Sequence, residues 1–125
     1  MTPKRRKKVR TKPLPERVRC PGHLAWVRGF ECAVAGPLPD GTIIHLCEGR
    51  VQAAHVRKGT DAAMGEKPGD NWTVPLCARA HEQQHRVGEP MFWAMYQRDP
   101  KTLAAELWAK SPHRIKWEMK QRESA

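Results

Sequence analysis

The reactive chemistry of this sequence is concentrated in eight side chains: Cys32, Cys47, His55, Asp70, Asn71, Cys77, His81 and His85. His81 and His85 are four residues apart, so on a helix they stack one turn apart on the same face. Two neutral imidazoles placed this way can hold a divalent ion and leave positions open for a substrate. The Asp70-Asn71 pair lies at the entry to a short apolar stretch, Trp72 to Leu76, where an acid or amide can face the ion. Cys77 then marks the bend where that stretch turns into the helix. His55 stands near the end of an earlier strand. Facing the two-histidine helix, it serves either as a further ligand or, a few ångströms off the ion, as the general base that activates water.

Those side chains require two strands and a helix to converge on one point, and the chain offers elements in that order. His23 to Arg28 has helical spacing and ends at Gly29; Phe30 to Gly36 reads as a knuckle carrying Cys32. Pro39-Asp40-Gly41 signals a turn, after which Thr42 to Leu46 has strand composition and leads into Cys47. A second strand, Arg50 to Val56, carries His55, and residues 57–69 form an irregular loop with Gly59, Gly65, Pro68 and Gly69. Beyond His85 the chain is helical. Glu89 to Gln97 sets Phe92 and Tyr96 on one side, and Asp99-Pro100 begins another helix with a capping acid and Pro at its first position. That helix stops at Ser111-Pro112, and a basic helix is expected over Ile115 to Arg122. The aromatic residues at helical spacing are assigned to packing. The expected class is α+β.

Composition bounds the rest. A chain of 125 residues makes one modest core, and no apolar run reaches the length that spans a bilayer, so no membrane partner is expected and the location is expected to be cytoplasmic. In that setting four cysteines point to metal ligands or free thiols and not to disulfides. The net charge of +10 is uneven: residues 1–19 carry nine Lys/Arg and a single acid, Glu16. The organisation read from this is a disordered basic tail over 1–19 and a single domain over 20–125, with C-terminal helices over about 89–122. A cationic arm of this kind supplies salt-sensitive, sequence-independent affinity for nucleic acid.

In order along the chain stand Leu24 to Arg28, Cys32, Ala54-His55-Val56-Arg57, Gly65 to Asp70, Val74 to Cys77, His81 and His85, Phe92-Trp93 and Asp99-Pro100. Over about residues 23–110 this series resembles the HNH endonucleases, in particular the small phage- and prophage-associated group. The resemblance implies a ββα-metal core with flanking helices, and a metal-dependent hydrolase that cuts phosphodiester bonds in DNA, with RNA as the alternative substrate. It implies His55 as general base and His81 and His85 as ligands of a catalytic Mg, Mn, Ni or Zn ion. The middle position of the motif falls at Asp70 or Asn71, and Asp70 is favoured as a ligand because a carboxylate suits a hard cation. Arg57 and Lys67 are candidates to hold a neighbouring phosphate.

The sequence departs from that family in one respect. Many relatives hold a structural zinc with two Cys-x-x-Cys knuckles, whereas Ala35 and Ala80 stand where the second Cys of each would be. Cys32, Cys47 and Cys77 are expected to gather at one zinc, with the fourth ligand open among Cys20, His23 and His45. The competing reading is a zinc-containing nucleic-acid-binding module without catalysis.

Overall fold

The computed structural model describes residues 17–57 and 68–124. Among these, the chain forms five helices and one two-stranded antiparallel sheet, an α+β arrangement. The order is α1 (Pro21–Val27), β1 (Val51–His55), β2 (Thr73–Cys77), α2 (Ala78–Val87), α3 (Glu89–Tyr96), α4 (Pro100–Lys110) and α5 (Pro112–Ser124). None of the described helices is long and apolar enough to cross a membrane.

The two strands pair with Val51 opposite Cys77 and His55 opposite Thr73. Every residue of β2 is buried, as its continuous apolar run requires. Pro75 contributes no N–H to the sheet, but its carbonyl accepts from Ala33 N–H at 2.7 Å, which docks the Cys32 knuckle against the other side of β2. The core behind the strands gathers Val34, Val56, Val74, Leu76, Phe92 and Tyr96. Helix boundaries follow local chemistry. Asp99 accepts from Lys101 and Thr102 N–H at the start of α4, and Ser111 separates α4 from α5. At the start of α2 the cap is a sulfur: Cys77 Sγ accepts from Ala80 N–H at 3.4 Å.

One expectation about local structure changes. Thr42 to Leu46, expected as a strand, is extended but unpaired. Ile43 (61% exposed), Ile44 and Leu46 (71%) are left exposed while His45 turns inward, so the segment delivers one polar side chain, and none of its large apolar ones, to the interior. At the N-terminus, the chain makes contacts with the loop before β2 ahead of Cys20. Val18 O accepts from Asp70 N–H at 2.8 Å, and the Arg17 guanidinium donates to Pro68 O at 3.2 Å, so residues 17–19 are fastened to the domain. Residues 1–16 of the expected tail lie outside the described residues.

His23 shows how α1, α4 and α5 pack. Its ring is fully enclosed, shares a 2.8 Å hydrogen bond through Nδ1 with Ser111 Oγ, and meets Trp108 edge-on. Burial, reinforced by the charge of His113 and opposed by Asp70, lowers its pKa from 6.5 to about 4. The native value lies below the unfolded one, so between these two values the unfolded chain takes up a proton that the native chain refuses. Stability is full above the unfolded value and declines as pH falls through the window. Unfolding free energy at pH 5 is expected to be roughly 2 kcal/mol below that at pH 7 from this group alone. Urea titrations of wild type and His23→Gln at both pH values check it: the variant should lose about that much of the pH dependence.

Candidate functional site

Cys32 from the knuckle, His45 and Cys47 from the extended segment, and Cys77 at the junction of β2 and α2 converge. Their ligand atoms all lie within 4.8 Å of one another. A zinc ion with sulfur ligands at about 2.3 Å holds its ligand atoms about 3.8 Å apart, so closing this group on an ion takes only about an ångström of movement. Three sulfurs and one imidazole are a donor set for a soft or borderline ion such as zinc. Cys32, His45 and Cys77 are buried and Cys47 is exposed. His45 therefore takes the fourth place. Of the two alternatives, Cys20 stands at the head of α1 and His23 lies in the α1–α4–α5 packing.

The surroundings set the protonation of each donor. Tyr96 O–H donates to Gln83 Oε1 at 2.8 Å, so its oxygen is free to accept from His45 Nδ1–H at 3.4 Å. That places the His45 lone pair on Nε2, the nitrogen 3.3 Å from Cys77 Sγ and facing the sulfurs. Burial, helped by the charge of Arg79, lowers the His45 pKa and keeps the ring neutral. Desolvation of the Cys47 sulfur, with the neighbouring sulfurs of Cys32 and Cys77, pushes its pKa up to about 12 even though the residue as a whole is exposed. Burial also raises Cys77, but the backbone N–H groups of Glu48 and Ala80 and the thiols of Cys32 and Cys47 outweigh it and lower the value. Three adjacent thiolates become compatible when a cation sits among them.

On the far face of α2, His55, Arg57, His81, Gln84, His85 and Glu89 line a cleft of about 580 Å³. His55 Nε2–H donates to Asp70 Oδ1 at 3.0 Å, which leaves the lone pair on Nδ1. Asp70 is itself clamped: Oδ2 accepts from Cys20 N–H at 2.8 Å, and its carbonyl accepts from Thr73 Oγ–H at 2.9 Å. His81 Nδ1–H donates to Gln52 Oε1 at 2.6 Å and keeps its lone pair on Nε2. Its ring lies 4.8 Å from that of His85, at 34°. Burial first, then the charges of His85 and His55, lowers the His81 pKa. At the rim both carboxylate oxygens of Glu89 accept from Arg57 N–H, at 3.1 and 3.0 Å.

Thus the structure brings His55, His81, His85 and Arg57 to one cleft, and Cys32, Cys47 and Cys77 to another point on the opposite side of α2. Asp70, expected as a ligand beside His81 and His85, engages His55 and Cys20 N–H instead. Lys67 lies outside the described residues. Scans of the chain against protein-family models, curated proteins and solved structures found no match in any of the three. Gln52, Gln83, Gln84, Tyr96 and Glu89 escape a reading of the sequence as parts of these sites. Gln52 and His81 are 29 positions apart and Tyr96 and His45 are 51 apart, and no local spacing rule joins them.

One metal ion per chain is expected at the four-ligand cluster. Zinc titration against a chromophoric chelator should show that Cys77→Ser abolishes tight binding. Tyr96→Phe, which frees the Nδ1 proton of His45, should weaken it about 10- to 100-fold. A strong chelator should lower the melting temperature of wild type, because binding to the folded state alone adds to folding free energy.

Proposed function

We propose that this protein is a divalent-metal-dependent endonuclease of the HNH type that hydrolyses phosphodiester bonds in DNA. In this reading β1, β2 and α2 are the ββα-metal core, and the small phage- and prophage-associated group is the one the sequence resembles. The observation that carries the proposal is the cleft itself: a histidine with a carboxylate-held Nε2 and an open Nδ1 shares it with two stacked histidines on α2. A general base needs an imidazole that is neutral and held in one tautomer, and Asp70 supplies that restraint as a positioning residue.

The residues then divide the work. His55 Nδ1 takes a proton from a water molecule as the water oxygen forms a bond to phosphorus. The ester P–O bond opposite the incoming oxygen breaks, and the leaving oxygen takes up a proton from solvent. His81 and His85 are the protein's ligands for the ion; the lowered pKa of His81 keeps that ring available as a neutral donor at neutral pH. When bound, Mg, Mn, Ni or Zn supplies positive charge to the phosphate oxygens and the leaving oxyanion. Arg57 at the rim adds a fixed cation for an adjacent phosphate. The Cys32, His45, Cys47 and Cys77 cluster serves as a structural zinc centre. The competing reading, a zinc-containing module that binds nucleic acid without cutting it, draws on that same cluster, which needs no histidine cleft to function.

Incubating supercoiled DNA with metal-free protein across a panel of divalent ions separates the two. Nicked or linear product that depends on the ion is expected; binding without cutting under every ion favours the module, and an RNA substrate run alongside tests the alternative polymer. His55→Ala should cut about two to four orders of magnitude more slowly while keeping its fold and bound metal. His81→Ala with His85→Ala should lose the catalytic ion.

The N-terminal arm gives a separate test. Residues 1–16 include seven Lys/Arg, so their removal should weaken DNA binding at low salt and flatten its salt dependence, with little change in turnover at saturating DNA. Removal through Arg19 strips Val18 O from Asp70 and should also slow turnover. Binding at three salt concentrations, with turnover measured on both truncations, reads the two effects apart.

A further inference from the structure

Gln84 occupies a place on α2 that its chemistry does not suit. It lies on the buried face of the helix with Ala80, is only 3% exposed, and its Nε2 is enclosed without a hydrogen-bond partner among the described residues. A buried amide donor left unpaired is destabilising, and a Met or Leu of similar volume at the same place would carry no such penalty. The same residue lines the histidine cleft: it lies between His81 and His85 in sequence and shares the cleft wall with His55 and Arg57. The end of a glutamine is nearly symmetric in shape, so a half-turn about its last torsion exchanges Oε1 and Nε2 at little steric cost. Such a half-turn is the movement that would bring the donor to an acceptor offered in the cleft.

We propose that Gln84 is a phosphate-contacting residue, whose amide donates to a non-bridging oxygen of a phosphodiester held in the histidine cleft. The inference rests on the nuclease reading for its substrate. The donor is neutral, held by a helix and itself enclosed, and a hydrogen bond from an enclosed donor to an anionic oxygen is stronger than one made in solvent. Arg57 lines the same space with a fixed cation, and the phosphate oxygen in turn satisfies the amide. Placing an unpaired donor where an apolar group would pack better gives up stability for a contact made only with ligand present.

The test uses the full-length chain. Gln84→Met and Gln84→Leu both remove the donor while retaining volume. Both are expected to melt at or above the wild-type temperature, to keep wild-type ion affinity, and to cut supercoiled DNA about 10- to 100-fold more slowly. Independently of cutting, inorganic phosphate titrated into wild type should shift the side-chain NH₂ resonances of Gln84, identified by their absence in Gln84→Met. Variants that cut like wild type, with no phosphate-dependent shift at Gln84, overturn the proposal. So does a fall in melting temperature that accounts for the lost activity, since the amide would then be a structural donor. If wild type cuts no nucleic acid under any ion, the nuclease reading fails, and the phosphate titration alone decides whether Gln84 marks an anion site.

Discussion

Three pieces of chain with no shared ladder of backbone hydrogen bonds meet at the sulfur of Cys77. It closes β2, caps the first turn of α2 through Ala80 N–H, and lies within reach of Cys32, Cys47 and His45. The direction of α2 follows from that junction, and with it the direction in which His81 and His85 point. Two flanking contacts hold the same joint: Ala33 N–H on Pro75 O ties down the knuckle, and Arg79 N–H on Glu48 O, at 3.0 Å, ties down the chain after Cys47. A domain of this size with only two described strands buries a limited apolar surface, so an ion held by these four side chains would contribute stability that packing alone supplies sparingly.

The same helix separates two kinds of histidine chemistry. His45 faces the sulfurs and His81 the open cleft, yet each ring is held through Nδ1 by a neutral oxygen, Tyr96 Oη in one case and Gln52 Oε1 in the other. His55 is held through Nε2 by a carboxylate. Neutral partners fix a tautomer without adding charge, which suits rings that act as ligands. A carboxylate also stabilises the imidazolium that forms when the ring takes a proton, which suits a base. The chemical distinction among the three histidines therefore resides in their partners and not in the rings themselves.

Asp70 links that chemistry to the start of the domain. Its carboxylate joins His55 to the N–H of Cys20, and its own N–H reaches Val18 O. The chain that follows the basic N-terminal stretch thus joins the fold beside the carboxylate that holds His55, so its attachment and the alignment of His55 share one set of hydrogen bonds. Buried polar groups with every partner in place are rigid, and the loss of one partner is felt by the others.

Much of the local structure was legible in the sequence because its causes act within a turn or two. Asp99-Pro100 starts α4, Ser111-Pro112 ends it, Cys77 bends a strand into a helix, and the four-residue spacing sets His81 and His85 on one face, whatever the rest of the chain does. The sulfur trio could be named as candidates on residue type and order along the chain. Other features depend on which surfaces pack, and a linear pattern carries no record of that. Tertiary contact selected His45 over Cys20 and His23, because the extended segment turns it inward while α1 carries His23 into a different core. It left Thr42 to Leu46 outside the sheet despite its strand composition. It also turned Asp70 toward His55, and it buried Gln84 beside the cleft. Residue type and spacing determined which groups were available; which groups face one another was decided by the packing of segments up to 88 residues apart.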